Sequence, residues 1–257
     1  MSRRGRLRGE RGYTLIEMLA ATGAGLTIVA AMVAVLVGAY QLLQNDADRV
    51  DANQQGRTAM AQIAQLLNSS CVAGVDVSPI VGDPAPAGST APPSGANSIT
   101  FYSSLSDAPE ISQNVDEVVV FLNGAGALQE DVYRYVSGST GDWVFASTPS
   151  STATLVDNAT DSPNTQSTMF TYYPFTTNGQ LSTAADTLDA AGHLSASAAQ
   201  AVGAVGIRFE AEPTDASHAP GSDIDLSDQV VLRLSPVANA SGATSSTGAT
   251  TTPYPCS

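Results

Sequence analysis

From Met18 to Asn45 the chain carries no charged residue. The apolar part of that run, Met18 to Leu43, is 26 residues. As a helix it extends about 39 Å, more than the roughly 30 Å of a bilayer's hydrocarbon core. The pattern therefore predicts a membrane-spanning helix. Beyond Leu43 the pattern changes: Val50, Met60, Ile63 and Leu67 fall near one helical face, while Asp46, Asp48, Asp51, Gln54, Arg57 and Gln62 supply polarity. The two patterns join into one helix from about Thr14 to about Leu67, roughly 80 Å long, first apolar all round and then amphipathic. Gly56 is its weak point, because glycine costs about 1 kcal/mol relative to alanine inside a helix. Asn68-Ser69-Ser70 marks its end.

The amphipathic half needs a cover, and short segments rich in β-branched and aromatic residues supply one. Ser98–Tyr102, Glu117–Leu122, Val132–Val136, Trp143–Phe145, Met169–Tyr173, Ala204–Phe209 and Gln229–Leu234 read as strands. Most alternate, which suits an antiparallel sheet with one face on the helix. Asn123-Gly124 and Asn178-Gly179 are turn signals between them. Three Pro-, Ser- and Thr-rich stretches, 82–95, 147–168 and 239–255, read as loops or tails. The predicted class is α+β: a helical spine packed on an antiparallel sheet. The chain divides into a leader (1–12), an apolar half-helix (13–43), an amphipathic half-helix (44–71) and a β-rich domain (72–257).

Charge orients this arrangement. Arg3, Arg4, Arg6, Arg8 and Arg11 precede the span, while Asp46, Asp48 and Asp51 follow it with Arg49 as the one nearby cation. By the positive-inside rule the N-terminus is cytoplasmic and the bulk of the chain is extracytoplasmic. The net charge is −14, and loss of residues 1–12, with five Arg and one Glu, leaves −14 − 5 + 1 = −18. No lysine occurs, and five arginines remain after the leader. A nucleic-acid partner is not expected on that balance, since a phosphate backbone needs positive charge.

The leader has no apolar run and ends in Gly12, directly before the segment Tyr13-Thr-Leu-Ile-Glu17. A secretory signal peptide has the opposite order, with its apolar core before the cut. The junction Arg11 to Glu17 and the apolar run behind it resemble the N-terminus of type IV prepilins and pseudopilins. The resemblance covers about the first thirty residues after the leader. It implies a prepilin peptidase that cuts after Gly12 and N-methylates Tyr13, making Glu17 the fifth residue of the mature chain. It also implies assembly with other pilin or pseudopilin subunits through the helix, Glu17 pairing with the N-terminal amine of a neighbour. Read from the residues alone, Thr14 and Glu17 form a capping box that needs no partner. The two readings are compatible. The chain departs from the family in having Tyr13 where phenylalanine is usual, and in lacking a proline in the first apolar half. Gly23, Gly25 and Gly38 stand in that region and suit close helix packing.

The family reading makes the protein a structural subunit of a type IV pilus or type II secretion pseudopilus. The mature length, 257 − 12 = 245 residues, favours a minor subunit. The alternative is a membrane-anchored extracytoplasmic binding protein or adhesin that does not assemble. Enzyme chemistry finds no support: His193 and His218, the two histidines, lie in polar contexts, and H-E-x-x-H, G-x-S-x-G and P-loop patterns are absent. No cofactor is expected. Asp223, Asp225 and Asp228 are the weak metal candidate, against the plainer reading of an acidic solvated loop. Asn158-Ala-Thr160 and Asn239-Ala-Ser241 match the N-glycosylation triplet. Cys71 and Cys256 are the two cysteines; a bridge between them would close 256 − 71 = 185 positions, and exported thiols are usually oxidised. Two free thiols are the other reading.

Overall fold

The computed structural model describes residues 13–71, 78–104, 115–138, 143–161, 168–176, 178–213 and 224–232. Helix α1 runs over Leu15–Asn68, 54 residues, ending one residue beyond the expected point. The chain divides after Ala47 into two compact units. In the first, every side chain from Tyr13 to Val37 is exposed.

The second unit begins at Asp48, and there α1 buries Ala52, Gly56, Ala59, Met60, Ile63 and Leu67. These positions recur every three or four residues, the spacing of one helical face. Val50, expected on that face, is 56% exposed, because it precedes the first buried turn. Gly56 does not weaken the helix's continuity; it lets the helix approach a sheet. A Cβ there would lie 2.2 Å from Leu226 Cδ1 and 3.3 Å from Ala211 Cβ.

Two antiparallel sheets complete the core. The first contains β1 (Ser98–Ser103), β2 (Asp116–Leu122), β3 (Leu128–Tyr133) and β6 (Ser151–Val156), in the order β1-β2-β3-β6. Asn123-Gly124 makes the β2–β3 turn as expected: Asn123 Oδ1 accepts from the backbone N–H of Ala125 and Ala127. A small separate hairpin pairs β4 (Tyr135–Ser137) with β5 (Val144–Phe145). The second sheet contains β7 (Ala159–Thr160), β8 (Phe170–Pro174), β9 (Val202–Ala211) and β10 (Ile224–Val231). The long strand β9 holds β10 along one edge and β8 and β7 along the other. A four-residue helix, α2 (Ala196–Ala199), is capped by Ser195, whose hydroxyl accepts from the Ala198 N–H.

Ile99, Phe101, Val118 and Val120 of the first sheet meet Phe170, Tyr172, Ile207 and Phe209 of the second in one apolar cluster with Met60, Ile63 and Leu67 of α1. The α+β class thus holds, with two sheets rather than one. A second cluster on the far side of β1 gathers Cys71, Val81, Tyr102, Val115 and Phe145. There Tyr102 stacks on Phe145 and meets Trp143 edge-on, at centroid distances of 5.5 and 5.7 Å.

Three expectations about strands are corrected. Val132–Val136 is not one strand: the chain breaks at Arg134, whose carbonyl accepts from the Ala146 N–H, and β4 turns away to pair with β5. The stretch 147–168 is not all loop, since it contains β6 and β7. The first four residues of β6, Ser-Thr-Ala-Thr, are all exposed. The strand therefore lacks apolar alternation and is held by its backbone ladder to β3. β10 also begins five residues earlier than Gln229, carrying Ile224 and Leu226 against the core.

Candidate functional site

The start of α1 is built by Thr14 and Glu17. Backbone N–H and hydroxyl of Thr14 both donate to Glu17 Oε2, at 3.3 and 3.2 Å, and the Glu17 N–H donates back to Thr14 Oγ1 at 3.3 Å. This is the reciprocal capping box read from the sequence, and it satisfies two of the donors that a helix start leaves without intrahelical partners. Glu17 therefore has a partner within its own chain. Tyr13 is exposed beside it, while Gly12 lies outside the described residues.

Behind the box, Leu15, Ile16, Met18, Leu19, Leu26, Ile28, Val29 and Met32 are all exposed, and the run continues to Leu43. The glycines interrupt this surface without being crowded: a Cβ on Gly23, Gly25 or Gly38 would meet nothing within 4 Å. By length and composition α1 is able to cross a membrane, and none of its apolar window is buried. A helix that is apolar all round suits apolar surroundings, lipid or other helices, better than water.

The other predicted site residues are dispersed. Cys71 is buried and disulfide-bonded, and Cys256 lies outside the described residues. Asp225 forms a two-pronged ion pair with Arg208 on the neighbouring strand, with contacts of 3.1 and 2.6 Å. Asp228 accepts from the N–H of Gln229. Three positions apart on one strand, Asp225 and Asp228 face opposite sides of the sheet. The structure does not bring them together, and Asp223 lies outside the described residues. Asn158 sits at the turn between β6 and β7, with its carbonyl accepting from Glu212, and Asn239 lies outside the described residues.

One cluster escaped the sequence reading. His193, placed there only by its polar context, is half-buried, and its Nδ1 lies 3.5 Å from Asp83 Oδ2. Asp189 stands at the same place, and one ligand atom from each of the three residues lies within 4.8 Å of the others. The N–H groups of His193 and Ala191 donate to Asp189 Oδ1 at 2.8 and 2.9 Å. Led by the bond from His193, these contacts hold the Asp189 carboxyl below the usual carboxylate range. Asp83 is far from His193 in sequence, so no local spacing could reveal the pair.

Buried acid chemistry lies elsewhere. Glu117 of β2 is fully buried, facing Tyr102 and Tyr133 on the two adjoining strands. Burial pushes its carboxyl up, only partly offset by the Ser89 hydroxyl and the N–H groups of Thr90 and Ala91. Burial, and then the neighbouring Glu117, push the Tyr102 phenol up as well. No family model, curated protein or solved structure matches the chain.

Proposed function

We propose that the protein is a prepilin-like structural subunit, cut after Gly12 and N-methylated on Tyr13 by a prepilin peptidase, that assembles through α1 into a type IV pilus or type II secretion pseudopilus. The observation that carries this reading is the exposed apolar run from Tyr13 to Leu43, opened by a carboxylate and preceded by an arginine-rich leader. A carboxylate at the edge of an apolar helix is expensive in a membrane and is retained for a partner. In the free subunit that partner is Thr14. In the filament it is the methylated amine of a neighbour's Tyr13. The chain sits as a single-pass membrane protein, with its N-terminus cytoplasmic and the unit after Asp48 outside, until assembly extracts it. Its role is structural rather than catalytic, and its size favours a minor subunit.

The test is N-terminal sequencing and intact mass of the protein from membranes of cells with an active prepilin peptidase. A chain beginning at N-methylated Tyr13 supports the reading. A chain that keeps Met1 or Ser2, or begins well after Gly12, overturns it and leaves a membrane-anchored binding protein or adhesin as the account.

A further inference from the structure

We propose that Asp83, Asp189 and His193 form a binding site for a zinc-class divalent cation. Two stretches of chain meet there, and backbone bonds fix how they meet. The Asp83 N–H donates to the Leu194 carbonyl at 2.7 Å, and the Asp83 carbonyl accepts from the Ala196 N–H at 2.9 Å. The next strand-like contact, from the Leu194 N–H to the Ser94 carbonyl at 2.8 Å, anchors the histidine's own segment. Asp83 is therefore held beside His193 by main chain, whatever its carboxylate does.

The side chains within this frame bring two carboxylates and one imidazole together, with the His193–Asp83 ion pair as their one direct contact. His193 Nδ1 is buried and takes no hydrogen bond. At 3.5 Å its distance to Asp83 Oδ2 exceeds the 2.7–3.2 Å of an N–H···O hydrogen bond. A buried polar nitrogen is ordinarily paired. Asp189 Oδ1 accepts from the His193 and Ala191 N–H groups, which fixes this carboxylate in place beside the imidazole. Both carboxylates reach solvent, which gives an ion its entry.

The donor set selects the cation. An imidazole nitrogen suits zinc and its transition-metal neighbours, whereas magnesium and calcium prefer all-oxygen sites. Two carboxylates and one imidazole leave the fourth tetrahedral position to water. Donor atoms around a zinc ion stand about 3.4 Å apart. The three here, within 4.8 Å of one another, reach that spacing by small rotations of the exposed aspartates.

The experiment is calorimetric titration of the untagged full-length chain in detergent, stripped with chelator, with zinc chloride alone and, separately, calcium chloride. The expected result is one equivalent of zinc, bound more tightly than calcium and weakened about tenfold or more in both His193→Gln and Asp83→Asn. His218→Gln and the double variant Asp225→Asn/Asp228→Asn are expected to bind as the parent does. Circular dichroism and melting of the unliganded variants separate lost ligation from lost fold; should His193→Gln unfold, Asp83→Asn decides alone. No saturable zinc binding means that the cluster is a bare ion pair and overturns the proposal. So does binding that survives in a folded His193→Gln or Asp83→Asn chain, or binding removed by His218→Gln.

Discussion

Thr14 and Glu17 show how much a single side chain can be asked to do. The box they form is a hydrogen-bond device, so Glu17→Gln keeps an acceptor for Thr14 while removing the charge. If the role of Glu17 were capping alone, the amide would serve nearly as well. On the assembly reading, Glu17→Gln is expected to abolish incorporation into filaments as fully as Glu17→Ala does, with membrane insertion unchanged. Sheared-filament and membrane fractions from cells expressing each variant would check this. Glycines make a second contrast at the same scale. A Cβ at Gly82 would lie 2.7 Å from both Ala196 Cα and Ser195 O, which are main-chain atoms that cannot step aside. At Gly56 the closest obstacle is the end of the flexible Leu226 side chain. Gly82→Ala is therefore expected to cost about 1–3 kcal/mol. Gly56→Ala should fall within about 1 kcal/mol of the parent, because gained helix propensity offsets the repacking of Leu226. Urea unfolding midpoints of the two variants would separate them.

Among the elements, α1 carries two surfaces with different jobs, and its sequence announces both. The apolar run and the Met60, Ile63, Leu67 stripe were legible because helical periodicity repeats within a few residues. Strands β1 and β2, buried at nearly every residue, were legible as short runs of β-branched and aromatic residues. β6 was not, because Ser151 to Thr154 point to solvent and are held mainly by a backbone ladder that no residue pattern records. Nor was the break at Arg134, which is set by where β5 lies. The capping box was readable from a four-residue spacing, whereas the Asp83–His193 meeting depends on tertiary placement. The stripe itself can be weighed. Ile63 is fully buried at the junction of α1 with the core. Ile63→Ala should therefore destabilise the folded unit by roughly 2–5 kcal/mol, read as a lowered melting midpoint of the detergent-solubilised chain, with membrane insertion intact.

At the level of the whole molecule, stability has to be kept in a chain that is strongly acidic and that buries a carboxylate. Glu117 is desolvated between Tyr102 and Tyr133, and its folded pKa is raised above the ordinary 4.5. Between those two values the folded state holds a proton that the unfolded state has released. The contribution of Glu117 is therefore fully present below about pH 4.5 and is lost as pH rises through the folded value. The Ser89 hydroxyl and the Thr90 and Ala91 N–H groups limit that loss, because they stabilise the charged form, but burial outweighs them. Glu117→Gln copies the protonated side chain in shape and neutrality and cannot titrate. The variant is expected to gain on the parent as pH rises from about 4.5 through the folded value of Glu117, and to hold that gain above it. Other acids, Asp186 among them, titrate alike in both chains and cancel in the difference. The check is urea unfolding of parent and variant across that range. A difference that stays flat with pH would mean that Glu117 ionises as freely in the folded protein as in the unfolded chain, and that burial does not govern it.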